Sequence, residues 1–331
     1  MSRILSPRPL VALVVFAAAF APAPAHALGA AFSCTAVTYQ VVIDQLKIGT
    51  VDTTVSPATL SYTNVGAPNT SSYNGGGYNT VDNFIYAMSG LDELLKIDSD
   101  GLAEAHAVTG IETDANFVAG DISSDGQSLI AFDVVNTSMW SIDLDTFVGT
   151  NIGDVSTADV GDFAILSDAG GDIAYGIDRV TGGLVSFELT ENPITVSVNS
   201  SVEIGAGSSK GAVWSDSSGN LTVFVNATGD VYSVTNPSDA SPVVTKVASL
   251  GSASSQNDGM KCALAESAFP EPEPDSGSGR GPGNSSMDSA GALAFTGVSE
   301  VNLFLISLTG AALLILGNSI RRIRRREFPR D

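Results

Sequence analysis

Short runs rich in β-branched and aromatic residues recur along the middle of the chain, apolar alternating with polar, each bounded by Asp, Gly, Asn or Ser. One phrase, an apolar pair followed by polar, apolar and polar residues, appears as Leu94-Leu95-Lys96-Ile97-Asp98 and Met139-Trp140-Ser141-Ile142-Asp143. It returns as Leu184-Val185-Ser186-Phe187-Glu188 and Val231-Tyr232-Ser233-Val234-Thr235. Its members Ile97, Ile142, Phe187 and Val234 are 45, 45 and 47 positions apart. Ahead of each phrase lies a second run: Phe84-Ile85-Tyr86-Ala87, Leu129-Ile130-Ala131-Phe132, Ile173-Ala174-Tyr175 and Leu221-Thr222-Val223-Phe224. Alternation of this kind between turn-forming residues predicts strands.

A third landmark precedes each pair, a glycine in Gly77-Tyr78, Gly120-Asp121, Gly161-Asp162 and Gly211-Ala212, with one more in Asp258-Gly259. The spacing is 43, 41, 50 and 48. A repeat of about 40 to 50 residues is the length of a propeller blade of four antiparallel strands. Ser124-Asp125-Gly126, Ala169-Gly170-Gly171 and Ser218-Gly219-Asn220 stand where the first strand of a blade turns into the second. Val37-Thr38-Tyr39 and Gln45-Leu46-Lys47-Ile48 read as the second and third strands of a blade without a first, and Asp258 to Leu264 offers the missing one. The expected fold is all-β, a β-propeller of five blades, closed by the N- and C-terminal strands in one blade. Such closure leaves no free sheet edge at the seam. A β-sandwich with evenly spaced strands is the alternative.

Two longer apolar runs flank the repeats. Arg3 and Arg8 precede Leu10 to Phe20, and Ala25-His26-Ala27 supplies small residues for cleavage, so 1–27 reads as a secretory signal peptide. A first membrane helix fits less well, because the run is short and broken by Pro22 and Pro24. The second run, 298–320, is long enough as a helix to span ~30 Å of hydrocarbon. Arg321, Arg322, Arg324, Arg325 and Arg326 follow it, which keeps the tail 321–331 cytoplasmic and the N-terminal bulk outside. Between the ectodomain, 28–266, and this span lies 267–292. There Pro270, Pro272 and Pro274 alternate with Glu271 and Glu273 before Ser, Gly and Asn take over, a composition that makes a spacer.

Just before the apolar run stands Leu293-Ala294-Phe295-Thr296-Gly297. In its order of motif, span and basic tail it resembles the LPXTG-type cell-wall sorting signal of Gram-positive surface proteins. With Ala294 at the second position it is similar to the LAXTG variant read by class E sortases of high-GC actinobacteria. The resemblance implies that a sortase thiol attacks the carbonyl of Thr296 and that Thr296 passes to an amine of the peptidoglycan precursor. A plain C-terminal membrane anchor is the other reading. The strand phrases, over roughly Phe32 to Leu264, are similar to propeller-like domains of many bacterial secreted and surface proteins, and that likeness implies no particular activity.

Charge narrows the partners. From Leu28 to Gly297 there are 33 acidic and 7 basic residues, a balance of about −26, which argues against nucleic acid and anionic membrane surfaces. Cys34 and Cys262, near opposite ends of the repeats, form an even pair in an exported chain and are expected to bond. Closing so long a loop stabilises by up to ~4 to 5 kcal/mol in the chain-entropy model.

Candidate chemistry is sparse. His106 is the one histidine after the signal peptide, in a segment expected to be an outer strand. Paired acids abound: Asp98 with Asp100, Asp143 with Asp145, Asp121 with Asp125. The last pair, with Ser123 and Gly126, resembles the opening of an oxygen-ligand calcium loop, but Phe132 stands where its final glutamate belongs, so a hairpin turn is the better reading. No cofactor is expected; the alternative to the turn is Ca2+ held by Asp121, Ser123 and Asp125. The function expected is a wall- or membrane-held binding or adhesion module without catalysis, facing an extracellular protein or glycan. The alternative is an extracellular glycan hydrolase or lyase using channel carboxylates, which would gain support if buried acids converged beside Arg179 or Lys210.

Overall fold

Twenty strands were found among the residues described by the computed structural model, which are 28–269 other than 91, 113, 251–253, 255 and 256. The expected signal peptide, the sorting motif Leu293 to Gly297, the span and the arginine tail lie outside the described residues. In chain order the strands are β1 (Thr38–Val42), β2 (Gln45–Asp52), β3 (Ala58–Asn64), β4 (Tyr73–Tyr78), β5 (Ile85–Ser89), β6 (Glu93–Ile97) and β7 (Ala103–Ala107). They continue as β8 (Phe117–Ile122), β9 (Ser128–Asp133), β10 (Ser138–Asp143), β11 (Gly149–Asp154), β12 (Val160–Asp168), β13 (Gly171–Asp178) and β14 (Leu184–Glu188). The last are β15 (Thr195–Asn199), β16 (Lys210–Ser215), β17 (Leu221–Val225), β18 (Asp230–Thr235), β19 (Val243–Ser249) and β20 (Asn257–Lys261).

Three four-stranded antiparallel sheets follow the chain order, β4 to β7, β8 to β11 and β12 to β15. An eight-stranded sheet, ordered β16-β17-β18-β19-β3-β2-β1-β20, consists of two four-stranded halves. The strands of the two halves pair with each other only where β19 runs parallel to β3 over Ala248↔Ala58 and Ser249↔Thr59. The first strands make a ring: β4 packs on β8, β8 on β12, β12 on β16, β16 on β20, and β20 back on β4. This is a β-propeller, with apolar clusters between successive sheets. Phe132 and Met139 meet Phe163 and Phe187 in one of them, and Leu184 and Val202 meet Val223 and Val234 in another.

The sequence pattern explains the order of burial. The second-strand runs predicted from alternation are β5, β9, β13 and β17, and both faces of β5 and β17 are buried throughout. The phrases around Ile97, Ile142, Phe187 and Val234 are the third strands, whose apolar members other than half-buried Tyr232 are buried while the intervening polar residue is half-buried. The fourth strands, such as β7 and β15, are largely exposed and carry little hydrophobic signal. The recurring glycines lie on the first strands, where neighbouring backbones abut. A Cβ on Gly161 would come 2.7 Å from the Lys210 carbonyl oxygen, and one on Gly77 would come 2.6 Å from the Ile122 nitrogen.

The two ends of the folded chain meet in one sheet. β1 pairs with β20 in antiparallel register from Thr38↔Lys261 to Val42↔Asn257. Cys34 and Cys262 are disulfide-bonded, their Cα atoms 5.3 Å apart across 228 positions of sequence. Phe269, within the stretch read as spacer, packs with Trp214, Phe224 and Leu60, so folded structure reaches at least that far. Among the described residues no helix is long and apolar enough to cross a membrane.

Candidate functional site: carboxylates at the centre of the ring

Beside three of the landmark glycines stands an aspartate, Asp121 on β8, Asp162 on β12 and Asp258 on β20. Each lies on a first strand and binds backbone of a neighbouring sheet. Asp121 accepts through Oδ2 from the Ile165 N–H of β12 at 2.8 Å and through Oδ1 from its own neighbour Ile122 at 2.8 Å. Asp162 Oδ2 accepts from Val213 of β16 at 2.6 Å and from Gly259 of β20 at 3.2 Å, while its Oδ1 takes the Phe163 N–H at 2.8 Å. Asp258 Oδ2 accepts from the Gly76 N–H of β4. Together these bonds tie β8 to β12, β12 to β16 and β20, and β20 to β4.

Burial sets their electrostatics. Asp162 and Asp258 are fully enclosed. Desolvation raises the Asp162 carboxyl well above the usual range, and the adjacent Asp258 carboxylate raises it further. Asp258 is also raised, mainly by burial. Two carboxyls in contact and out of water favour holding one proton between them, with Asp162 as the donor. Burial lifts half-buried Asp121 to about 7, against the opposing pull of the Ile165 and Ile122 N–H groups. Asp258 Oδ1 is the one oxygen of the three side chains without a hydrogen bond from backbone, so it is the natural acceptor of that shared proton.

Neither Lys210 nor Arg179 joins this cluster. Lys210, fully buried at the start of β16, donates from Nζ to the Gly205 carbonyl at 2.7 Å and to the Asp178 carbonyl at 3.3 Å, and burial lowers its pKa to about 8. Arg179 donates from Nε to Asp159 Oδ1 at 2.7 Å in a half-exposed ion pair. The acids therefore converge without a cation beside them.

The other sequence candidates divide clearly. Ser123 and Asp125 are joined, Ser123 Oγ donating to Asp125 Oδ1 at 2.7 Å within the β8–β9 turn. Asp121, the third residue of the suggested calcium set, turns its carboxylate to Ile165 instead. Among the described residues no group of three or more His, Cys, Asp or Glu side chains is placed to hold a metal ion. The pairs Asp98 with Asp100 and Asp143 with Asp145 are turn formers: Asp98 Oδ1 accepts from Asp100 and Leu102 at 2.9 Å, and Asp143 Oδ1 from Thr146 at 2.7 Å. His106 lies on β7, the outermost strand of its sheet, and stacks on Phe147 with ring centroids 4.2 Å apart. Asp162 and Asp258 had been visible only as neighbours of a repeating glycine, and that adjacency was the signal for their role.

A family model described as "Repeat of unknown function (DUF6923)" matches residues 43–264, two thirds of the chain. The chain belongs to this family. In this DUF6923 protein the matched segment runs from the β1–β2 turn to just beyond Cys262, and so contains all three channel aspartates. No curated protein matches in sequence. Among solved structures, one chain of a nidogen/laminin complex is 10% identical, with 70% of this chain and 99% of that one covered and a TM-score of 0.44. A gluconolactonase from Xanthomonas campestris is 12% identical, with 67% and 79% covered and a TM-score of 0.44. Virginiamycin B lyase from Staphylococcus aureus is 8% identical, with 62% of each chain covered and a TM-score of 0.39. No activity is carried from these to the DUF6923 chain.

Proposed function

We propose that this chain is an exported five-bladed propeller, held at the outer face of the cell envelope, that binds an extracellular protein or glycan and catalyses no reaction. The observation that carries this reading is the commitment of the channel acids. Their oxygens accept backbone N–H groups from neighbouring sheets, so their chemistry is spent on holding the ring together. Enzymes that stabilise developing negative charge gather cations or oriented donors around a reacting atom. Here Lys210 and Arg179 are engaged elsewhere. The Cys34–Cys262 bond supports export, because such bonds persist in oxidising compartments.

In this reading 1–27 directs secretion and 267–292 lifts the domain from the surface. Leu293, Ala294, Phe295, Thr296 and Gly297 are a class E sortase substrate, and 298–320 with the arginines behind it holds the chain until Thr296 is transferred to peptidoglycan. Cell fractionation tests it: wild type is recovered covalently bound to wall, and Thr296→Ala remains in the membrane fraction. Equal wall linkage in the two would remove the sorting assignment and leave a plain anchor.

One observation favours a hydrolase or lyase instead, the raised carboxyl pKa that buried Asp121 and Asp258 share. Under that reading wild type cleaves a polysaccharide and Asp258→Asn, still folded, does not.

A further inference from the structure

Away from the central ring, unspent hydrogen-bonding capacity lies along the outer edges of the sheets. The outermost strands β19 and β3 pair with each other, which leaves β7, β11 and β15 as outer strands with one partner strand each among the described residues. A free edge offers a row of backbone N–H and C=O groups to any extended chain, and folded proteins blunt such edges with charges or bulges. Two of the three edges are blunted in this way. β7 carries Glu104 and His106 among its five residues. β11 is bulged, with Met139 facing Gly153 and Trp140 facing Asn151, and it ends in Asp154.

β15 has neither protection. Its five residues, Thr195-Val196-Ser197-Val198-Asn199, are uncharged and keep unbroken register with β14 from Glu188↔Thr195 to Leu184↔Asn199. Val198 is 48% exposed, and Thr195 and Ser197 are exposed as well. Among the described residues, none of the five exchanges a main-chain hydrogen bond with backbone outside its own sheet. The strand also reads nearly the same in either direction, with valines on both sides of Ser197 and a polar residue beyond each valine. Such a strand matches its own copy in antiparallel register about a two-fold axis. Ser197 then faces its own counterpart, Val196 faces Val198, and Thr195 faces Asn199. Val196 and Val198 lie on one face of the strand, so two copies bring four valines together there.

We propose that β15 is a self-association edge, where a second copy of this chain adds its own β15 and the sheets β12 to β15 of the two copies become one sheet of eight strands. Two observations select a second copy over an unrelated extended segment. The near-palindrome gives identical strands a complementary fit in an isologous pair, which a foreign segment does not require. The exported part is also strongly acidic, 33 acidic residues against 7 basic, so two copies repel over most of their surface, and β15 is the free edge whose strand adds no like charge to that repulsion. A contact of two five-residue strands belongs to the transient class that buries less than ~1,200 Å². Copies held side by side on one surface meet at the high effective concentration that such a contact needs.

This rests on the surface-displayed binding-module reading and names the partner. The test is cysteine cross-linking of the full chain on intact cells. Cys34 and Cys262 are the two cysteines of the sequence and are bonded to each other, so an introduced thiol is the only free one. In the register given, the two Ser197 Cα atoms are ~4.5 to 5.5 Å apart, within disulfide reach. The two Thr195 Cα atoms are ~13 Å or more apart, four residues along the strand, and out of reach. After mild oxidation Ser197→Cys is expected to give a disulfide-linked dimer on a non-reducing gel, at least tenfold more than Thr195→Cys gives. Adding Val198→Glu to Ser197→Cys is expected to lower that yield tenfold or more, since it sets like charges beside the two-fold axis. Circular dichroism melts of the purified variants check that each folds. Equal yields from Ser197→Cys and Thr195→Cys, a dimer that survives Val198→Glu, or no dimer from folded and displayed Ser197→Cys would each overturn the self-association. A cross-link from Ser197→Cys to a different protein would overturn the second copy and assign the edge to that protein. Recovery of the chain from the cytosol is instead a failure of the display reading, and fractionation of the same cells tells the two apart.

Discussion

Asp121, Asp162 and Asp258 show how one residue type divides its labour in this fold. Aspartates in turns, such as Asp125 and Asp143, are held below their usual pKa by hydrogen bonds from the Ser123 hydroxyl and the Thr146 N–H respectively. The channel aspartates are raised because they are buried. The two classes give opposite linkage. A raised carboxyl keeps its proton in the folded state after the unfolded chain, titrating near 4, has released its own. Its stabilisation is therefore full below about pH 4 and lost as pH rises toward about 7. A lowered carboxyl stabilises above about pH 4, and that contribution disappears as pH falls through its folded value. Melting temperature should peak between about pH 4 and 5 and decline toward pH 8. In Asp121→Asn that decline should be shallower, with overall stability down by ~1 to 3 kcal/mol because an amide cannot accept from both Ile122 and Ile165. A wild-type melting temperature that rises steadily from pH 5 to 8 would contradict the assignment. None of this is legible from spacing, since the partner of Asp121 is on a different strand 44 positions away.

At the scale of the element, legibility followed burial. The second strands, enclosed on both faces, carry unbroken β-branched and aromatic runs, and the third strands alternate, so β5, β6, β9, β10, β13, β14, β17 and β18 could be placed from the chain alone. Fourth strands such as Ala103–Ala107 have one partner and mostly exposed side chains, so little in their composition marks them. The landmark glycines mark where first strands crowd one another. Gly161→Val should be among the most damaging single changes in the repeat, because its side chain meets the Lys210 carbonyl and the Ser209 hydroxyl. A loss above ~3 kcal/mol in denaturant melts is expected, against less than ~0.5 kcal/mol for a change at exposed Val180 to Thr. Comparable losses at the two positions would mean that the first strands do not abut as described.

For the whole molecule, closure is the governing fact. Sheets of four strands cannot cover their own faces, and a ring lets each face be buried by the next sheet, provided the last meets the first. The chain achieves this by pairing β1 with β20 and bonding Cys34 to Cys262. The expectation of an N-terminal blade lacking its first strand came from Val37-Thr38-Tyr39 and Gln45 to Ile48, and these residues do lie in or beside β1 and β2. We propose that this ring, closed by its own ends, is displayed outside the cell. Peptide mapping without reduction, on protein recovered from fractionated cells, tests it most directly. A linked Cys34–Cys262 peptide pair is expected in the envelope fraction; both thiols free and alkylated in protein taken from the cytosol would contradict this.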